Sequence, residues 1–225
     1  LTELAEAFDR VDDNDQIRVA VVSNEGRVFC AGADISEQLD GDAAGIGDLA
    51  ELLGRIRRSS KPFVGRIGGH AVGGGMGLAA AMDISVATSD AMFGFTEVRV
   101  GVAPAIISVI CLPKMRHADA AAVFLRGNRF DAAEAVRIGL INETVPPGGL
   151  DARIEEIVAD LQVGGPAALA ACKRVLADVP SMGFDEALRW TSELSATLFA
   201  GAEAQEGMAA FLEKRPPVWA PRLES

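Results

Sequence analysis

Apolar and polar residues alternate along the first part of the chain in two different rhythms. Residues 1–11 repeat apolar side chains at helical spacing, and residues 47–60 do so again. Short apolar runs, bounded by turn residues and rich in β-branched side chains, predict buried strands at 17–23, 26–36 and 61–69. The segment 83–95 predicts two more short strands. Because strands that alternate with helices are typical of an α/β core, we predict that fold class.

The pattern changes after Pro146 and Pro147, where helical periodicity replaces the strand signals. We therefore predict a core formed by residues 1–149 and an all-helical region at residues 150–225. The segment 184–199 carries an apolar stripe, which we expect to pack either on the protein's own core or on a neighbouring subunit.

Composition excludes several classes of function. A formal net charge of −11 argues against a nucleic-acid partner, which requires clustered lysine and arginine. The chain carries no apolar run of membrane-spanning length and no signal peptide or lipidation motif, so we expect a cytoplasmic protein with no membrane partner. Its three cysteines are widely spaced and match no zinc or redox pattern, so no metal is expected.

Four glycines, Gly73, Gly74, Gly75 and Gly77, stand where a helix is predicted to begin. Glycine is the poorest ordinary helix former, which calls for an explanation. The first N–H groups of a helix lack intrahelical partners, and the helix dipole adds partial positive charge there. The glycines therefore suit either close approach of a negatively charged oxygen or tight packing of the helix on a strand.

A dinucleotide-binding site is a third interpretation of these glycines. Gly75-x-Gly77-x-x-Ala80 fits the relaxed fingerprint, and Glu97 lies at a suitable distance for a ribose contact. The fingerprint requires the glycines in the turn directly after a strand, whereas Gly77 falls inside the predicted helix. A nicotinamide-dependent oxidoreductase is accordingly disfavoured.

A second glycine turn follows the strand predicted at 26–36 and directs the backbone N–H groups near Ala33 into a loop. Two separated backbone donors, one near Ala33 and one near Gly74, are what an oxyanion hole for a thioester requires. Three motifs, "GRVFCAGADISE", "GGHAVGGGMGLAAAMDISVATSDAMFGFTEV" and "RFDAAEAVRIGLINETVP", together resemble the crotonase (enoyl-CoA hydratase/isomerase) family across nearly the whole chain.

The resemblance implies a crotonase-like spiral of ββα units with a C-terminal all-helical extension. It implies that backbone N–H groups of Ala33 and Gly74 stabilise a thioester enolate, and that CoA arrives as part of the substrate, with no other cofactor. It also implies the residues that bind the acyl-CoA, namely Ala31, Ala33, Asp34, Ile35, Gly73, Gly74, Thr96 and Glu97.

Two positions bear on the reaction. By its motif, Glu97 matches the second of the two glutamates of the family's hydratases, whereas Gly77 stands where the first is expected. A single glutamate is compatible with isomerisation of an enoyl-CoA, with hydration, or with another enolate reaction such as decarboxylation. A non-catalytic acyl-CoA-binding protein is a further alternative. Because "TEVRVGVAPAIIS" is similar to branched-chain, methylglutaconyl-type hydratases, we predict a hydratase with an isomerase as the alternative.

The resemblance also concerns the two ends of the chain. The sequence opens inside an amphipathic helix, and we expect that the family's N-terminal segment is missing from it. The helical region at 150–225 resembles the family's trimerisation region, which implies a homotrimer or a dimer of trimers.

Overall fold

The computed structural model describes residues 2–32 and 44–221. Within these ranges the strands are β1 Ala20–Ser23, β2 Val28–Cys30, β3 Phe63–Ile67, β4 His70–Val72, β5 Ile84–Thr88, β6 Met92–Gly94, β7 Phe130–Asp131 and β8 Glu143–Val145. The helices are α1 Thr2–Asp13, α2 Ala44–Arg58, α3 Gly74–Ala81, α4 Ala105–Cys111, α5 His117–Arg126, α6 Ala132–Arg137, α7 Leu150–Gln162, α8 Pro166–Asp178, α9 Phe184–Ala200 and α10 Ala202–Glu213. Short 3₁₀ helices lie at Glu97–Val100, Leu112–Lys114, Pro147–Gly149 and Val179–Ser181.

The strands belong alternately to two four-stranded sheets. The first sheet has the order β1-β3-β5-β8 and is parallel throughout. The second has the order β2-β4-β6-β7, in which β7 runs antiparallel to β6. Successive strand pairs therefore add one strand to each sheet, and the chain winds as a spiral. The predicted α/β spiral of ββα units is confirmed.

The strands and helices predicted within the first hundred residues are present, whereas one strand in that part of the chain, β4, and two beyond it, β7 and β8, have no counterpart in the prediction. Strands β4, β7 and β8 are two or three residues long. Strands β2 and β6 are equally short, but they stand within longer apolar runs, whereas β4, β7 and β8 are flanked by glycine, polar residues or proline and show no strand period. Their existence depends on pairing with strands that are distant in the sequence.

Helix α3 packs on strands β2 and β4 of the second sheet and on helices α2 and α4. Its residues Gly75, Met76, Gly77, Leu78, Ala79 and Ala80 are all buried. A helix without a polar face is expected at such a central position. Because the helix is short and enclosed, its N-terminus is held in one place by its surroundings.

The first helix of the C-terminal region covers the first sheet. Leu150, Ile154 and Ile157 of α7 pack with Val64 and Val86 in one buried cluster. Among the helices of the described ranges, none combines the length and the apolar character needed to cross a membrane.

A buried lysine attaches α8 to the core. Lys173 is 8% exposed, and its Nζ donates to Oδ2 of Asp83 at 2.7 Å and to the backbone oxygens of Ile56 and Lys61. These three hydrogen bonds replace the ones that the ammonium group makes to water when it is exposed. By contrast, helix α9 has no buried residue, and Phe184 at its start is 78% exposed. The chain itself therefore leaves the apolar stripe of α9 largely uncovered.

Candidate active site

The N-terminus of α3 is shaped by glycines on two different segments. Gly73 has φ +54°, a conformation in which a side chain would be strained, and its N–H donates to the oxygen of Gly94 at 3.0 Å. Gly74 is the first residue of α3, so its N–H has no acceptor within the helix. A Cβ at Gly32 would lie 2.8 Å from the nitrogen of Gly74. Glycine at position 32 therefore keeps the approach to this N–H open.

The next two glycines serve packing. A Cβ at Gly75 would overlap the backbone oxygen of Cys30 and lie 2.8 Å from its carbonyl carbon. A Cβ at Gly77 would overlap Cγ2 of Ile107. Both glycines face other parts of the protein, which agrees with the rejection of a dinucleotide fingerprint. The two explanations of the glycine cluster thus apply to different members of it.

Glu97 is positioned by the end of strand β6. Phe95, the residue directly after β6, is fully buried and packs on Phe124, with ring centroids 4.3 Å apart. The 3₁₀ helix that begins at Glu97 ends at Val100 and is capped by Gly101, which has φ +83°. The N–H of Val102 then donates to the oxygen of Glu97 at 3.2 Å. Buried aromatic packing on one side and a closed turn on the other hold the Glu97 backbone.

One oxygen of the Glu97 carboxyl is withdrawn from water, although the residue as a whole is only half-buried. Its Oε2 is buried and has no hydrogen-bond partner among the residues that the structure describes. Burial raises the pKa of Glu97 above its ordinary value of 4.5, although a backbone hydrogen bond partly opposes the rise. A carboxyl with a raised pKa exchanges protons more readily near neutral pH, which suits an acid–base group.

The structure brings together those predicted site residues that it describes. A Cβ at Gly73 would lie 3.9 Å from Oε1 of Glu97 and 3.7 Å from the oxygen of Ala31. Thr96 directly precedes Glu97 and is the N-cap of the 3₁₀ helix that Glu97 begins. The remaining predicted positions, Ala33, Asp34 and Ile35, lie outside the described residues.

Two positions near the site were not singled out from the sequence. Gly32 was noted only as part of a turn, although its φ of +86° and its position beside Gly74 are special. Ile107 was noted only as part of an apolar run, yet it fills the space beside Gly77. The glycine within "CAGAD" is a local signal for the first position. Nothing local indicates the second, because residues 77 and 107 meet only through the packing of α3 on α4.

Other polar candidates have structural roles. Nδ1 of His70 accepts the backbone N–H of Met92 at 3.0 Å, and so it connects β4 to β6. Over residues 2–32 and 44–221, no group of three or more histidine, cysteine, aspartate and glutamate side chains is arranged to bind a metal ion.

The arrangement combines a helix-terminal N–H with a buried carboxyl. The N–H of Gly74 can stabilise negative charge that develops on a carbonyl oxygen. The carboxyl of Glu97 can add or remove a proton at a neighbouring carbon or at a water molecule. The site is therefore suited to chemistry that passes through an enolate.

Comparisons with known proteins agree with this chemistry. A family model described as enoyl-CoA hydratase/isomerase matches residues 1–222. Carnitinyl-CoA dehydratase of Escherichia coli K12 is 33% identical over 227 residues, covering 96% of this chain and 87% of that protein.

Solved structures extend the likeness to the fold. An enoyl-CoA hydratase from Shewanella pealeana has a TM-score of 0.91 at 30% identity, covering 97% of this chain and 84% of that one. An enoyl-CoA hydratase from Mycobacterium smegmatis has a TM-score of 0.91 at 28% identity, covering 98% and 88%.

Proposed function

Because the chain belongs to the enoyl-CoA hydratase/isomerase family, we propose that it adds water reversibly to a 2-enoyl-CoA thioester, with Glu97 as the acid–base group. The observation that carries the proposal is the buried, unpartnered Oε2 of Glu97 beside the N-terminus of α3, within the described residues. The names of the similar proteins, a dehydratase and two hydratases, support the same reaction read in its two directions.

The thioester oxygen would be held by two backbone N–H groups. Gly74 supplies one from the start of α3, and the opening at Gly32 gives the substrate access to it. The second donor is Ala33, assigned from the resemblance of its motif. Losing one such donor costs roughly 3 kcal/mol of transition-state stabilisation in comparable sites. The reaction needs no redox cofactor, because adding water to a double bond is neither a net oxidation nor a net reduction of the substrate, and CoA enters as part of the substrate.

One carboxyl is sufficient for the proton balance of hydration. The Glu97 carboxylate accepts a proton from water while the water oxygen bonds to C3 of the enoyl group. The C2–C3 π electrons move onto the thioester, whose oxyanion is stabilised by the N–H donors. The enolate then collapses and C2 takes the proton from Glu97. Both hydrogens and the oxygen of the water end in the product, and Glu97 returns to its starting state.

Isomerisation is the second candidate, and the apolar surroundings of Gly77 favour it. A Cβ there would lie 2.8 Å from Cβ of Ile107 and 3.3 Å from Cδ1 of Leu53, so hydrocarbon surrounds this position. Glycine itself has no polar side chain that could hold water there. Glu97 would then remove a proton from C2 of a 3-enoyl-CoA and return it to C4, moving the double bond. No water is gained or lost in this reaction.

The first experiment incubates wild-type protein with straight and branched 2- and 3-enoyl-CoAs in deuterated water and reads the products by mass spectrometry. We expect the thioester to gain one water. Double-bond migration with deuterium uptake but no water gain would establish the isomerase instead. Binding without either signal would indicate an acyl-CoA-binding role and contradict the proposal.

The Glu97→Gln variant tests the residue itself. It keeps the size of the side chain but removes its ability to accept a proton, so we expect at least a ~10²-fold loss of rate with acyl-CoA affinity retained. Glu155→Gln, an exposed glutamate on α7, is the matched control and should retain the wild-type rate. A Glu97→Gln variant that also retains it would exclude Glu97 as the acid–base group.

We further propose that copies of this chain assemble into a trimer or a dimer of trimers. The exposed apolar residues of the C-terminal helices support self-association, since soluble monomers rarely display large apolar surfaces. The most exposed of them are Leu176, Phe184, Phe199, Phe211 and Leu212.

A further inference from the structure

Gly77 and Ile107 interlock where α3 packs on α4. A Cβ at Gly77 would overlap Cγ2 of Ile107, and it would lie 2.8 Å from Cβ of Ile107 and 3.3 Å from Cδ1 of Leu53. Ile107 is 2% exposed and Leu53 is 1% exposed, so neither can turn outward into solvent. Hydrocarbon therefore already occupies the space in which a side chain at position 77 would begin.

Cys111 extends the contact between α3 and α4. Ile107 and Cys111 are one turn apart on α4, and Sγ of Cys111 contacts the oxygen of Met76, the residue before Gly77, at 3.9 Å. Burial raises the pKa of Cys111 to about 12, and the negative charge of Glu97 adds to the rise. The Glu97 carboxyl lies at the N-terminus of the same helix α3, with its Oε1 3.9 Å from the point where a Cβ at Gly73 would stand.

The position of Gly77 on α3 relates it to the proposed substrate. Gly77 follows Gly74 by three residues, so the two lie on the same face of the helix. A thioester oxygen bound at the N–H of Gly74 would place the attached acyl carbons beside this face. Glu97 would contact those carbons from one side, and the interlocked pair would line the other.

We propose that Ile107 is a specificity-determining residue that closes the acyl site opposite Glu97 with hydrocarbon and leaves all proton transfer to Glu97. The inference rests on the proposed function. An apolar wall excludes a second ionisable side chain, because an unpaired charge there would be desolvated. It also limits the width available to the acyl group near the reacting carbons.

The test exchanges the two members of the pair in the full-length chain. The proteins are wild type, Gly77→Glu, Ile107→Gly and the double variant. Ile107→Ala with Gly77→Glu is an intermediate case, because the alanine Cβ would still lie 2.8 Å from the new side chain. Ile110→Gly with Gly77→Glu is the matched control, since it places the same glycine on α4 without emptying the space beside Gly77.

Thermal unfolding reports the interlock without a substrate. We expect Gly77→Glu alone to lower the unfolding midpoint by roughly 5–10 °C, as overpacking of a core does in a chain of this size. Gly77→Glu should lower the midpoint less in the Ile107→Gly background than in wild type, whereas the Ile110→Gly background should not reduce its effect. A Gly77→Glu variant as stable as wild type would overturn the interlock.

Rates with crotonyl-CoA and 3-methylcrotonyl-CoA report specificity. Ile107→Gly should raise the rate with the branched probe relative to the straight probe at least several-fold, because removing the side chain widens the acyl site. The double variant should add water to crotonyl-CoA at least ~10-fold faster than Ile107→Gly, since a second acid–base group becomes available. A stable double variant with unchanged rates and unchanged preference would overturn the role of Ile107.

The two proposals fail in different ways. Unchanged rates in the Ile107 variants, together with loss of activity in Glu97→Gln, would overturn only the role of Ile107. Full activity of Glu97→Gln in the wild-type background would overturn the proposed function. If wild type turns over no enoyl-CoA, both the proposed function and the specificity role of Ile107 fail. The unfolding midpoints then test only the packing contact between Gly77 and Ile107.

Discussion

Partial burial of the Glu97 side chain is expected to lower the stability of the folded protein when its carboxyl is ionised. Its Oε2 is buried and unpartnered within the described ranges, and burial raises its pKa. An ionised carboxylate in this setting lacks the hydrogen bonds that water supplies to it in the unfolded chain. A residue of this kind is expected to lower stability while it serves chemistry.

This cost predicts a pH-dependent difference between wild type and Glu97→Gln. The pKa of Glu97 is higher in the folded chain than in the unfolded chain, where it stands near 4.5. As pH rises past the unfolded value, the unfolded chain ionises first, and wild type loses stability relative to the variant until the folded pKa is passed. We expect equal unfolding free energies near about pH 4 and a more stable variant near about pH 7.

Urea unfolding of both proteins at the two pH values measures this difference. A variant that is less stable than wild type at neutral pH would show that the ionised carboxylate has a stabilising partner. That result would also weaken the assignment of Glu97 as a readily protonated group.

At the scale of elements, helix α3 and strand β2 approach each other more closely than side chains allow. A Cβ at Gly75 would overlap the oxygen of Cys30, and one at Gly32 would lie 2.8 Å from the nitrogen of Gly74. This close approach places the end of β2 against the N-terminus of α3, where the proposed oxyanion site begins. The contact therefore serves packing and function together.

Two helical glycines provide a matched comparison. Gly75→Ala should lower the free energy of unfolding by about 1–3 kcal/mol or more, because the new methyl group must displace backbone. Gly47 in α2 has nothing within 4 Å of its Cβ position, so Gly47→Ala should stabilise the protein by about 0.5–1 kcal/mol. Chemical denaturation measures both, and a Gly75→Ala variant as stable as wild type would contradict the described contact between β2 and α3.

At the scale of the whole molecule, the C-terminal helices differ in how they are covered. Helix α7 packs on the first sheet and α8 is attached through Lys173, whereas α9 and α10 leave Phe184 and Phe211 at 78% and 82% exposure. Burial of side chains of this size is worth about 1.5–3 kcal/mol each, which a second copy of the chain could provide.

Assembly can be tested by light scattering after size-exclusion chromatography. We expect wild type to have a mass of about three or six times the 23.5 kDa chain, in line with the closed symmetry of most homo-oligomers. The Phe184→Ser/Phe211→Ser variant should shift to lower mass as the protein is diluted, and Val163→Ser should not. A monomeric wild type would contradict the proposal.

The sequence by itself determined the features that local patterns encode. Strand-like and helical periodicity were sufficient for the α/β class and the helical C-terminal region, and the glycine-opened helix and the motif around Glu97 led to the family. The strands β4, β7 and β8 escaped prediction because they are two or three residues long and, unlike β2 and β6, do not stand within a longer apolar run.

Only the tertiary structure decided what surrounds the proposed chemistry. The absence of a glutamate at Gly77 is visible in the sequence, but the filling of that space by Ile107, thirty positions later, is not. The sequence likewise places Glu97 on a motif without showing that its Oε2 is buried and unpartnered among the described residues. The physical reason is that periodicity reports the face on which a residue lies, whereas burial and contact depend on which distant elements pack against that face.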